Sequence, residues 1–222
     1  MTTASGQIIA AMAVMLALSA CDISVDGDGS SKVNGSVHVP AGKAADQAKT
    51  VNGSVHIDDD ATVTSASTVN GSITLGKHAS ATSLKTVNGS VTLGAGARVS
   101  EGAGSVNGDL TLADGAEVVG PLTNVNGKIR LTAAHVGGGI KTVNASISIT
   151  GASRVENGIM VDKPSGIMFN SADPVIVIGP GATVMGNLRF ERKVKLYVSD
   201  KATIGTVIGA TAVPFSGETP PN

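Results

Sequence analysis

The sequence predicts an all-β, single-chain parallel β-helix (a β-solenoid) with 18–19-residue, three-sided coils, right-handed in preference to left-handed. Three observations carry this. The tripeptide Val-Asn-Gly begins at Val33, Val51, Val69, Val87, Val106 and Val125, and Val-Asn-Ala at Val143, so the steps are 18, 18, 18, 19, 19 and 18 residues. Within a period a step of six recurs, as in Val51, Ile57, Val63, Val69, Leu75, Ala81, Val87, Leu93 and Val99. Around these positions apolar and polar residues alternate, Val55 and Ile57 about His56 and Val91 and Leu93 about Thr92. Alternation with β-branched residues reads as half-buried strand, and a repeat of this length as a solenoid.

Composition agrees. The chain has 222 residues, 41% of them hydrophobic, which excludes wholesale disorder. Aromatics are only 2% and there is no Trp, so the core is thin and aliphatic. The net charge of −1 gives no electrostatic case for nucleic acid. One Cys excludes an internal disulfide and any multi-cysteine metal site.

Residues 1–20 read as an export signal rather than as fold. The apolar run Ile8–Leu18 is too short to span a bilayer. It ends in Leu18-Ser19-Ala20-Cys21, which resembles the lipobox of bacterial lipoproteins. The segment departs from the usual signal in carrying no Lys or Arg before Lys32. The resemblance implies acylation of Cys21, palmitate among the chains, and a membrane anchor without a spanning helix. Asp22 resembles the inner-membrane retention residue of enterobacterial lipoproteins. Residues 21–32, acidic and Gly/Ser-rich after the Cys, read as a flexible tether.

The solenoid is expected over 33–213. Identical directional units of about six residues stack in parallel, with coils about 4.8 Å apart. Asn34, Asn52, Asn70, Asn88, Asn107, Asn126 and Asn144 are expected to form a ladder of side-chain amides facing inward at a corner. Each following Gly is expected to supply a positive φ, with Ala145 departing from that pattern. Lys49, Lys85 and Lys141 stand two residues before the corner Val, where a small inward residue belongs. A lone buried Lys is very costly, so that face is expected to bury only its Val. This irregular triangle and the 19-residue coils favour the right-handed form, although Leu75-Gly-Lys-His-Ala-Ser and Ile178-Gly-Pro-Gly-Ala-Thr look like hexapeptide units of left-handed β-helices.

Residues 155–174 lose the strict phase, and Lys163-Pro-Ser-Gly and Ala172-Asp-Pro mark a loop near 162–174. The β pattern resumes at Val175. Phe190, Tyr197 and Phe215 gather late in the chain, as a solenoid cap requires. Residues 214–222 read as a disordered tail.

Gly179 to Leu188, followed by Val194-Lys-Leu and Ala202-Thr-Ile-Gly, resembles the coils of bactofilins, polymer-forming bacterial proteins on right-handed β-helices. The Val-Asn-Gly-Ser-Val/Ile repeats resemble adhesin-type β-solenoid domains of bacterial envelope proteins. The two resemblances span about residues 33–210. Neither implies a catalytic residue.

Candidate chemistry is sparse. His38 and His56 are one coil apart, but spacing fixes no third metal ligand; their column continues through Thr74, Thr92, Thr111, Arg130 and Ser148 and reads as a solvent face. His78 and His135 have no repeating partner, and no residue is marked as the catalytic His of a hexapeptide acyltransferase. Asp58-Asp59-Asp60 fits an exposed turn. The column Ser36, Ser54, Ser72, Ser90, Asp109, Lys128, Ser146 reads as polar facing, with an Asp109–Lys128 pair between coils. Sugar binding, which uses aromatic platforms, is disfavoured. No cofactor, metal or catalytic residue is expected. The expected role is a non-enzymatic structural lipoprotein of the bacterial envelope, on the periplasmic side or the cell surface, whose rod self-associates or scaffolds. The alternative is an adhesin-like module for a cell-wall or surface partner.

Overall fold

The computed structural model describes residues 29–164 and 172–221. The segment read as an export signal, and Cys21 with it, lies outside them.

The early coils leave the Asn-Gly corner along a three-residue strand, the first face: Val37–Val39, Val55–Ile57, Ile73–Leu75, Val91–Leu93 and Leu110–Leu112, followed by strands of four or five residues from Lys128–Thr132 onward. Ten strands stack on this face in chain order, from Val37–Val39 to Ala212–Phe215, with every neighbouring pair parallel. At about 4.8 Å per step the stack is roughly 45 Å long. Inward positions on this face form two columns, one running Val55, Ile73, Val91, Leu110, Ile129, Ile147 and the other Ile57, Leu75, Leu93, Leu112, Leu131, Ile149, all buried. The core is the sum of such columns, aliphatic as the composition requires.

A tight turn then leads onto the second and third faces. The residue before the small inward Ala of this turn is left-handed: Gly96 and Gly115 in some coils, but Asp60 (φ 60°), His78 (φ 55°) and Ala133 (φ 48°) in others; in the first coil Gly42 (φ 66°) precedes the exposed Lys43 instead. Ala61, Ala79, Ala97 and Ala116 follow, fully buried, because the turn leaves room for one methyl.

In the early coils the second and third faces share one bent strand, such as Thr62–Asn70 or Ser80–Asn88. At Arg98–Asn107 the sheet forks. The front of that strand pairs with Glu117–Val118 and its back with Leu122–Asn126. Pro121, which cannot donate to a ladder, stands between the two branches. The first extra residue of a 19-residue coil sits at the same bend: Ala81 aligns with Val99 but Ser83 with Gly102.

The third face corrects the sequence reading. It buries Ala48, Ala66, Leu84, Ala103 and Leu122, three residues before each corner Val, and Thr50, Thr68, Thr86, Ser105 and Asn124, one residue before it. Val51, Val69, Val87 and Val106 are only half-buried and Val33 is 42% exposed, whereas Val125 and Val143 of the later coils are buried as expected. In the early coils the inward set is thus one residue out of the expected phase. A one-residue slip exchanges side chains between the faces, which is why Lys49, Lys85 and Lys141 stand on the outer side, half-buried, Lys141 against the buried Asp162.

The ends also differ from expectation. The first strand begins at Gly29, inside the segment read as tether, and pairs in register with Ala44–Asn52. The coil pattern holds through Arg154–Val155 and Ile159–Val161, inside the stretch read as out of phase. Residues 165–171 of the expected loop lie outside the described residues. The last strand, Ala212–Phe215, runs two residues into the segment read as tail, and Phe215 is buried there.

Candidate functional site

The corner of each coil is the most elaborated feature of the molecule. The Asn52 side-chain NH2 donates to the Asn34 oxygen at 3.0 Å, Asn70 to Asn52 at 2.9 Å, Asn88 to Asn70 at 3.0 Å, Asn107 to Asn88 at 3.0 Å, Asn126 to Asn107 at 2.8 Å and Asn144 to Asn126 at 2.9 Å. The ladder faces outward, contrary to the inward orientation expected. Asn34 through Asn107 are exposed and only Asn126 and Asn144 are half-buried. At its end Arg192 donates through Nη1 to the Asn144 side-chain oxygen.

The corner glycines divide: Gly35 (φ 101°), Gly53 (φ 159°) and Gly127 (φ 129°) have the expected positive φ, while the middle corners serve close approach instead. Gly71, Gly89 and Gly108 do not have positive φ. A Cβ on Gly71, Gly89 or Gly108 would stand 1.9, 1.9 or 2.0 Å from the carbonyl oxygen of the corner glycine one coil earlier. Each of these glycine N–H groups donates to the Asn carbonyl of the next coil, at 3.0, 2.9 and 3.0 Å. Ala145, the departure, instead turns its methyl into the core and is fully buried. Its N–H donates to Thr142 Oγ1 at 3.0 Å.

A second ladder runs inside the wall. Thr50, Thr68 and Thr86 donate through Oγ1 to the carbonyls of Gly35, Gly53 and Gly71 at 2.9, 2.8 and 2.9 Å. Ser105 donates to Gly89 at 2.8 Å, and Asn124 through Nδ2 to Gly108 at 2.9 Å. Asn124 Oδ1 is buried and has no hydrogen-bond partner among the described residues. The signal in the sequence is a Thr directly before the corner valines, as Thr50, Thr68, Thr86 and Thr142.

A third ladder uses the serine column. Ser36, Ser54, Ser72 and Ser90 each accept the backbone N–H of the residue one coil on, at 3.1–3.2 Å. Asp109 continues it by accepting the Lys128 backbone N–H at 2.8 Å, and its other oxygen accepts from Arg130 at 2.8 Å. The expected Asp109–Lys128 pair therefore uses the lysine's backbone, with Arg130 as the cationic partner.

The histidines disperse. His38 aligns with His56, but its Nε2 contacts Asp58 Oδ2 at 2.7 Å on the exposed surface. His78 Nδ1 lies 3.7 Å from Asp60 across adjacent turns. His135 belongs to a charged column that spacing alone did not reveal: Arg98, Glu117, His135 and Arg154 are aligned coil by coil on the second face. Arg98 pairs with Glu117, whose Oε1 is 3.4 Å from His135 Nδ1. Glu156 Oε1 lies 3.2 Å from His135 Nε2, off the line of a hydrogen bond, and 3.3 Å from Arg154 Nε. The Arg154 guanidinium, and behind it His135, hold the Glu156 carboxyl below the usual carboxylate range. Among the described residues, no group of three or more His, Cys, Asp or Glu could hold a metal ion.

A shallow concavity of about 500 Å³ lies on the third face, lined in part by Pro121, Thr123, Lys141, Asn157, Asn187 and Arg189. Its cations are engaged, Lys141 with the buried Asp162 at 3.2 Å and Arg189 with Glu191 at 3.0 Å. What the arrangement does chemically is join coil to coil: the repeated polar side chains are spent on bonds along the rod axis. This chain is a β-solenoid of about 18-residue turns, and no family model, curated protein or solved structure matches it.

Proposed function

We propose that the chain is a non-catalytic structural lipoprotein of the bacterial envelope, anchored to a membrane through acylated Cys21, whose rod self-associates or scaffolds. The observation that carries this is the engagement of the repeating polar side chains in three coil-to-coil ladders. Such a wall resists bending and shear and keeps its outer columns at fixed spacing, which is what a scaffold contributes. Bactofilin-like association is the finer form of the reading, and Ile208 and Val213, 46% and 45% exposed near the last coil, support it. Pro214 removes a donor from the terminal strand, so side chains rather than open-ended strand addition make the contact at that end.

The adhesin-like alternative, a rod binding a cell-wall or surface partner along one face, is favoured by the concavity between Pro121 and Arg189. Electron microscopy with analytical ultracentrifugation on the chain from Asp22 onward separates the two. Concentration-dependent oligomers or filaments, lost in Ile208→Ser, support self-association. A strict monomer at high concentration sinks it and leaves the lateral face. The anchor is tested apart, by incorporation of labelled palmitate into the full chain and its loss in Cys21→Ser.

A further inference from the structure

Six of the ladder asparagines precede glycine, the dipeptide most prone to intramolecular loss of ammonia, because glycine leaves its own N–H unshielded. In the reaction the glycine nitrogen gives up its proton to water or base and attacks the Asn Cγ. The Cγ–Nδ2 bond breaks, ammonia leaves, and a succinimide ring remains. Water then opens the ring to Asp or to isoaspartate. The net change is amide plus water to carboxylate plus ammonia, with no oxidant or reductant.

The fold opposes this at five of the six corners in the same way. The N–H groups of Gly35, Gly53, Gly71, Gly89 and Gly108 donate to the carbonyls of Asn52, Asn70, Asn88, Asn107 and Asn126, at 2.9–3.0 Å. An amide held in that bond must lose it before its nitrogen can attack. The sixth corner differs. The coil above Gly127 carries Asn144-Ala145, where the buried Ala145 methyl changes the corner. Ser146 N–H donates to the Gly127 carbonyl at 3.1 Å, but among the described residues no acceptor faces the Gly127 N–H. Gly127 is also exposed, so water and base reach it. A further Asn-Gly, Asn157-Gly158, lies off the ladder with its glycine buried and its side-chain amide donating to the Gly137 carbonyl at 2.6 Å.

We infer that Asn126-Gly127 is a self-modification site, the corner at which the folded rod deamidates first, and that the Val-Asn-Ala departure one coil on is the cause. The side chain of Asn126 is still held between Asn107 and Asn144. Conversion to a carboxylate removes the NH2 that donates to Asn107 and cuts the ladder there, and the isoaspartate form also adds a methylene to the backbone at the corner.

The test is a time course of the purified protein in mildly alkaline buffer. Digestion at low pH and peptide mass mapping then follow all seven Asn-Gly sites by the mass gain of amide-to-acid conversion. Asn126 is expected to lead the other ladder corners by about tenfold, the rate equivalent of one backbone hydrogen bond. Its lead is expected to vanish in denaturant and to shrink in Ala145→Gly, which permits the regular corner. The proposal is overturned if Asn34, Asn157 or any other site leads. It is equally overturned if the Asn126 lead persists in denaturant, or if Ala145→Gly leaves it unchanged.

Discussion

The hydroxyl of Thr68 donates to the carbonyl oxygen of Gly53 at 2.8 Å, from a side chain that is fully buried. This bond joins the inside of one coil to the Asn-Gly corner of the coil before it. It lets the core accept a polar column without an unpaired hydroxyl.

Thr68→Val keeps the shape of the side chain and removes the donor. The Gly53 carbonyl then loses its inward partner in a dry wall. A loss of about 1–3 kcal/mol is expected, measured by urea unfolding against the parent chain. A neutral result would show that the carbonyl finds another donor.

Asn124 occupies the same column and is the poorer fit. Its Nδ2 reaches Gly108, but its Oδ1 is buried without a hydrogen-bond partner among the described residues. Asn124→Thr retains the bond to Gly108 and removes the orphaned oxygen. Stabilisation of about 1 kcal/mol is expected, read as a raised denaturant midpoint at unchanged slope.

Gly89→Ala places a Cβ where 1.9 Å separates it from the Gly71 carbonyl oxygen. Backbone above and below must move, and the N–H donations of Gly71 and Gly89 to the next coils move with it. Destabilisation beyond about 3 kcal/mol is expected. Gly42→Ala is the contrast: its φ of 66° is strained for Ala, but nothing lies within 4 Å of the added Cβ. A cost of only about 1–2 kcal/mol is expected there.

Glu156 gives the pH dependence. Its carboxyl is held below its ordinary value by Arg154 and His135, so its contribution is present above the unfolded-state value. That contribution is lost as pH falls through the lowered folded value. Glu156→Gln is therefore expected to be less stable than the parent near neutrality and to converge with it in acid. Parallel unfolding curves across the pH range check this, and a constant gap between the two proteins would refute it.

How much of this was legible can be seen residue by residue. Val55, Ile57, Val91 and Leu93 announce their face because apolar and polar residues alternate there with no competing signal. Thr50, Thr68 and Thr86 did not announce theirs, since a hydroxyl beside a valine is read as the solvent side. Their burial depends on a carbonyl supplied by another coil, 15 residues earlier in the chain. His135 looked solitary for a related reason: its carboxylates, Glu117 and Glu156, are 18 residues before it and 21 after it, and stacking alone brings them together.

The sequence by itself determined the period, the coil, the parallel stacking and the identity of the corner residues, because a repeat of identical units admits one consistent way to bury its aliphatic columns. Tertiary structure decided which way the third face points, that the asparagines stand outside and the threonines inside, and where the ladder meets Arg192. The physical reason is that a strand with a small or polar residue on both sides has no strong inward preference of its own. Its phase is set by hydrogen bonds and close backbone approaches offered by the neighbouring coils, and these exist only once the coils are stacked.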